Sequence, residues 1–425
     1  MGFAAALSEH PLATQATGEI LGTLLERVGR HPDLVTVFAT GAHAGALQDI
    51  AGAVAEVLQP IALVGCAAES VIGPHHEVER SPGVAVLAGT VGPLLPLALA
   101  THAAASGHAA GRRRAPVLGA DRDDAVPDAD DDVVVDGWPE HVPFEPRTLL
   151  LVADPFTFAT GPFLAWLDRH HPGVTVVGGM ASGARGPGAA RLAVGSAVLD
   201  RGAVGVLLGP SVTVTGAVSP GSRAFGDPLV VTAATGNVIT ALSGRPPLDC
   251  LVRQAAASLT PDEADRLGDG GLQLGRTVDR HPGSRGPEVL VHAVLGADRG
   301  SGAIAVDGAV PVGATVRFHV RDATAADAGL RRALVGRQAE AALVFTCRGR
   351  GTRLFDARDH DVAAVASALG PVPVAGFFAD GEIGPVGGRN AVHRSSAAVA
   401  LLSEGPSQGP TDPSARPGTG GAAGP

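Results

Sequence analysis

The sequence specifies a mixed α/β (α+β) protein in which a β-α-β-turn-β unit is repeated three times, giving mixed sheets flanked by helices. Two observations carry that reading. The same order of apolar runs occurs three times along the chain, and the spacing inside each copy is nearly constant.

In the first copy a strand at 35–38 precedes a helix with Leu47, Ile50, Val54 and Val57 on one face, a 3-4-3 spacing. A second apolar run at 61–64 ends in Gly65-Cys66-Ala67-Ala68, and a third strand follows at 84–87. The second copy has a strand at 149–152 and a helix with Phe163, Leu164 and Leu167. A strand at 174–177, a turn at 178–183 and a strand at 196–199 complete it. The third copy has a strand at 342–345, a helix with Val362, Val365 and Leu369, a strand at 372–375, a turn at 376–381 and a strand at 397–401.

Phe38 to Gly65 is 27 positions, Val152 to Gly178 is 26 and Phe345 to Gly376 is 31. A strand-helix-strand of this length is a right-handed parallel crossover. Ligands of open α/β sheets bind beyond the carboxyl ends of such strands. The three glycine turns are therefore where chemistry is expected, with the alternative that small residues simply let the chain turn. Between copies two and three, a helix at 237–242 and strands at 289–294 and 315–320 indicate a second domain from about Phe225.

Composition narrows the function. Apolar residues make up 45% and charged residues 17%, enough for a sizeable core. The net charge of -10 and the scarcity of aromatics (3%) disfavour nucleic acid and an anionic membrane as partners. Lysine and tyrosine are absent, and Gly, Ala, Val, Pro, Arg and Asp dominate, as in GC-rich coding of the actinobacterial kind. Three cysteines, none in a C-x-x-C pair, argue against a disulfide framework. Residues 1–10 lack a secretory leader pattern, and the apolar stretch at 84–105 is broken by Gly89, Gly92, Pro93 and Pro96. A reducing cytoplasm is the expected location. Residues 106–146 carry opposite charges in separate blocks and read as a solvated loop, and 403–425 as a disordered tail. The expected partition is an extension at 1–30, a first domain at 31–224, a second at 225–402 and the tail.

Residues 64–73, Val-Gly-Cys-Ala-Ala-Glu-Ser-Val-Ile-Gly, resemble the N-terminal signature of the FIST family. Residues 345–351 and 373–385, followed by Gly387-Gly388-Arg389-Asn390 and His393, resemble its C-terminal domain. The resemblance covers roughly 31–402. It implies a sensory module that binds a small ligand, such as an amino acid or related metabolite, and passes a signal to a partner protein.

The candidate ligand site gathers Cys66 and Ser70 from the first copy with Cys347, Arg348, Arg350 and Gly351 from the third. Gly376, Phe377, Phe378, Gly381, Glu382 and His393 complete it. Arginine presents a planar fork that matches a carboxylate, so Arg348 or Arg350 could hold an anionic group or pair at the surface. Glu382 could take a ligand amine or one of those arginines. Cys347 could act as a nucleophile with His393 as base, or be an ordinary small buried residue. An enzyme of that kind, or an interaction scaffold, are the alternatives to a sensor. Residues 75–79, His-His-Glu-Val-Glu, lack the spacing of a zinc site. A P-loop cannot exist without lysine, and no motif requires a cofactor.

Overall fold

The computed structural model describes residues 2–103, 133–278 and 288–405. Three mixed sheets surround one core, and a closed six-stranded barrel is inserted into the third unit.

Each unit has four strands in the same order. In unit 1, Leu34–Thr40 runs parallel to Ala62–Ala68, with Val84–Gly89 antiparallel on its other side and Phe3–Ser8 outermost. Unit 2 repeats this with Thr148–Ala153, Thr175–Met180, Ala203–Leu208 and Leu94–Ala103. Unit 3 uses Ala341–Cys347, Val374–Ala379, Ser396–Glu404 and Val212–Pro220. The leading strands are continuous apolar runs because both of their faces are covered.

One glycine recurs on the second strand of every unit. A Cβ added at Gly65, Gly178 or Gly376 would lie 1.7, 1.9 or 1.9 Å from the carbonyl oxygen of Val37, Leu151 or Val344. These glycines are therefore strand residues at which the neighbouring backbone approaches, and the turns come after them.

The units are interlocked by exchanged hairpins. Each second strand is extended by a hairpin from another unit. Ser70–Ile72 and Glu77–Glu79 of unit 1 pair onto Val374–Ala379 of unit 3. Leu192–Val194 and Ala197–Leu199 of unit 2 pair onto Ala62–Ala68 of unit 1. Glu382–Val386 and Arg389–His393 of unit 3 pair onto Thr175–Met180 of unit 2. The exchange closes a three-membered ring.

Several expectations need correction. The third strand of the second copy is Ala203–Leu208, because 197–199 belongs to the hairpin given to unit 1. Residues 1–30 are no separate extension, since Phe3–Ser8 and the helix Ala13–Arg27 are part of unit 1. Residues 237–242 form a strand, Val238–Leu242, which enters the barrel after a turn at Gly236 (φ 56°). Within the 106–146 segment, Val133–Asp136 is a strand on the edge of the second sheet, and Trp138 packs against Phe163 and Trp166. Residues 106–132 of that segment and 406–425 of the tail lie outside the described residues.

The inner faces of all three sheets share one apolar core, at whose centre Phe38, Phe345 and Phe377 meet with ring centroids 5.0 to 6.5 Å apart. Helices cover the outer faces: Ala13–Arg27 and Leu47–Leu58 on unit 1, Thr160–His170 on unit 2, and Ala323–Leu334 with His360–Leu369 on unit 3. The barrel has its own core around Phe225, Leu274, Ile304 and Phe318.

Candidate functional site

The ends of the three second strands do converge. Ser182 of unit 2 donates its hydroxyl proton to the Phe378 carbonyl of unit 3 and accepts from the Glu69 amide of unit 1 at 2.9 Å. Met180 and Asp380 are tied by paired backbone bonds, Met180 N–H to the Gly381 carbonyl and Asp380 N–H to the Met180 carbonyl.

Many of the predicted site residues build this junction. Cys66 lies in the shared core, where burial pushes its thiol far up. Phe377 is in the same core, and Phe378 faces the helices of unit 3. Ser70 is buried and accepts from the Arg80 amide. Gly376 is the close-approach glycine described above. Gly381 has φ 139°, and a Cβ there would lie 2.2 Å from the Met180 methyl. Gly351 has φ 57°, and its Cβ would meet Glu79 at 2.7 Å. Arg348 is exposed and lies 3.4 Å from Asp380.

Arg350, Cys347 and Glu382 are different, for they meet in a polar cluster between unit 3 and the outer face of the barrel. Arg350 is fully buried. Its Nε and Nη2 donate to the two oxygens of Asp361, both at 2.8 Å, and its guanidinium lies 5.2 Å from the Phe355 ring centre. Asp361 also accepts from Thr346 and contacts His360 Nδ1 at 2.9 Å. Burial alone would raise the Asp361 carboxyl, but the charge and hydrogen bonds of Arg350 outweigh it and hold the group far below its usual value. Glu77, from the exchanged hairpin of unit 1, accepts from the Asp361 and Val362 amides at the start of helix His360–Leu369. Burial and the Asp361 charge push Glu77 up to about 8.

Cys347 and Glu382 meet at the start of strand Ser396–Glu404. Ser395 adopts the left-handed conformation at φ 54°. The N–H of the next residue, Ser396, donates to Glu382 Oε2 at 2.9 Å, and Cys347 lies beside it because Thr346 pairs with Ala397. The Gly349 amide approaches the sulfur, at 3.5 Å. Burial raises Glu382 to about 8, against the lowering effects of the Ser396 amide and of Arg394 and Arg350. Burial and then the Glu382 charge raise Cys347 above an ordinary thiol.

The Cys347–His393 nucleophile and base are not assembled. His393 Nε2 contacts the Gly384 carbonyl at 3.1 Å, burial depresses the ring to about 4, and the thiol is raised rather than lowered.

The barrel supplies the other wall. Arg321 donates to the Gly349 carbonyl, Gln273 to the Ser395 hydroxyl, and Arg394 pairs with Asp307 at 2.8 Å beside His292. Burial depresses His319, in contact with Ser222, to about 4. Several buried atoms here have no hydrogen-bond partner, among them Arg350 Nη1, Glu382 Oε1 and Glu77 Oε2 in the cluster and Gln273 Oε1, Arg321 Nε and, its ion pair with Asp307 aside, Arg394 Nε along its wall. Gly221 packs tightly here, since a Cβ on it would lie 2.1 Å from the Ser395 carbonyl oxygen and 3.1 Å from Arg350 Nη1. Two surface grooves, of about 560 and 460 Å³, lie elsewhere, beside Arg253 and beside Gln48.

Sequence reading missed Asp361, Ser395, Ser396, Gln273 and Arg394. Of these only Asp361, early in an amphipathic helix, carried a pattern that could have drawn notice.

Comparison with known proteins settles the kinship. The FIST N domain profile matches residues 33–245 and the FIST C domain profile matches 248–385. The chain belongs to the FIST family. FIST domains are associated with sensing in signal transduction. Uncharacterized protein Rv0628c of Mycobacterium tuberculosis is 39% identical over 384 residues, covering 89% of this chain and 93% of its own. Uncharacterized protein Mb0898c of Mycobacterium bovis is 38% identical over 400 residues, covering 92% and 96%. The boundary between the two FIST profiles falls inside the barrel, and the outer strand of unit 3, Val212–Pro220, belongs to the first of them. Among the described residues no helix is long and apolar enough to cross a membrane.

Proposed function

We propose that this FIST protein is a sensory module whose ligand is a small zwitterion of the amino-acid class, bound between unit 3 and the barrel. One observation carries the reading. Glu382 Oε1 and Arg350 Nη1 are buried, of opposite charge type, within electrostatic reach of each other and without partners. Unsatisfied buried charge is costly, and a ligand bearing an ammonium and a carboxylate would satisfy both atoms. The carboxylate goes to Arg350 rather than Arg348, because Arg348 faces solvent beside Asp380. Entry is by the loop that follows Cys347, where Cys347 is partly exposed and Arg348 is open. A signalling partner protein would read the occupied state.

The test is calorimetry with the proteinogenic amino acids on the wild type, Glu382→Gln and Arg348→Ala. At least one amino acid should bind. Glu382→Gln should weaken it by at least about tenfold, as expected when a buried charged contact is removed, and Arg348→Ala should leave it nearly unchanged. Failure of every amino acid to bind, or equal affinity in Glu382→Gln, overturns the reading.

A further inference from the structure

We propose that Cys347 captures a small zwitterionic disulfide as a reversible mixed disulfide, with Glu382 and Arg350 selecting its amino-acid head group. The inference rests on the ligand reading above and adds a covalent step to that site.

Three observations lead to it. The first is placement. Thr346 pairs with Ala397, so Cys347 lies beside Ser396, whose N–H holds the Glu382 carboxyl, and a ligand bound to Glu382 Oε1 lies next to Cys347. The second is the pair of unpartnered, fully buried atoms, Glu382 Oε1 and Arg350 Nη1, one suited to an ammonium and the other to a carboxylate. The third is isolation of the thiol. Cys66 lies in the shared core and Cys250 in the barrel core, and both are buried, so Cys347 has no protein thiol to pair with. Exchange with a small disulfide therefore stops at the mixed disulfide.

The step balances without an added oxidant. The Cys347 sulfur forms a bond to one sulfur of the incoming disulfide, and the bond between the two ligand sulfurs breaks. The thiol proton passes to water, and the departing thiolate takes up an equivalent proton. In the empty site, burial keeps Cys347 as the thiol. An ammonium at Glu382 brings a positive charge close to the sulfur, so the head group that is recognised also favours the thiolate that attacks.

The experiment compares L-cystine with 2-hydroxyethyl disulfide, which has no charged head group, on the full chain. Intact mass and peptide mapping follow the adduct. The expected result is one half-cystine per chain, on Cys347 alone, removed by dithiothreitol and formed about tenfold faster than the hydroxyethyl adduct. Glu382→Gln should abolish that preference. No adduct, no preference for cystine, or modification spread over Cys66 and Cys250 overturns the proposal. L-Alanine titrated into Cys347→Ser separates the two layers. Alanine binding with no cystine adduct on the wild type removes the covalent step and keeps the ligand reading. An unselective adduct with no alanine binding removes both the selection and the reading beneath it.

Discussion

Asp361→Asn tests how Arg350 is kept in place. The substitution preserves shape but removes the counter-charge of a guanidinium that is 0% exposed and bonded twice at 2.8 Å. Breaking a buried ion pair from one side costs about 3–5 kcal/mol. Thr346 and His360 lose the same acceptor, and because they share one network their losses overlap rather than add. For a chain of 425 residues the melting entropy is roughly 0.9 kcal/mol/K, so Tm should fall by about 3–6 °C. Scanning calorimetry and denaturant titration at neutral pH read the change. The companion variant is Arg350→Met with Asp361→Leu, which replaces both charges by apolar groups of similar size. It should recover most of the loss, since the cost comes from the stranded charge and not from the absence of the pair. A single variant within about 0.5 kcal/mol of the wild type, or a double variant no better than the single, refutes this account.

Two further outcomes follow from the same geometry. Glu77 and Glu382 are raised to about 8, so between roughly pH 4.5 and 8 the fold holds protons that the unfolded chain has released, and stability falls as pH rises, by up to about 1.4 kcal/mol per unit for each group. His319 and His393, depressed to about 4, tilt stability the other way below about pH 6.5, so the slope is best read from 6.5 to 8, where Glu382→Gln should flatten it; parallel curves would contradict the assignment. Gly376→Ala places a Cβ 1.9 Å from the Val344 carbonyl, a clash with backbone that no rotamer relieves. It should cost more than about 3 kcal/mol or leave the protein insoluble, and an alanine variant of normal Tm would show that the strands can part there.

Much of the architecture was legible because the leading strands are fully buried. Runs such as Leu149-Leu150-Leu151-Val152 cannot sit on a solvated surface, and their spacing repeats. The exchanged hairpins were not legible. Ser70–Ile72 and Glu77–Glu79 have three residues each, too few to show alternation, and their partner strand lies far along the chain. Residues 237–242 read as a helix because Val238, Ile239 and Leu242 fit a helical spacing; what decides is the left-handed turn at Gly236 and pairing with Ile304–Val306. The site was half visible. Arg350 and Glu382 stood in recognisable loops, whereas the Ser396 amide acts through backbone conformation, which side-chain identity does not announce. The recurring glycines misled for a physical reason: glycine serves a turn and a close strand contact equally well.

The ring of exchanged hairpins also bears on how the polypeptide emerges from the ribosome. Unit 1 can complete its own sheet once residues 192–199 have been made. Its hairpin at 70–79, however, must wait for residues 374–379. Some 300 residues separate the two, or about 15–60 s of synthesis at ordinary translation rates. Through that interval the nascent chain carries an unpaired hairpin, and the second strand of unit 2 presents an open edge until residues 382–386 arrive. Exposed edges recruit other strands. A fragment ending near residue 245, where the first FIST profile stops, would keep both edges open permanently. The boundary between the two profiles therefore cuts across the ring, whose strand pairings are complete only when all three units are present.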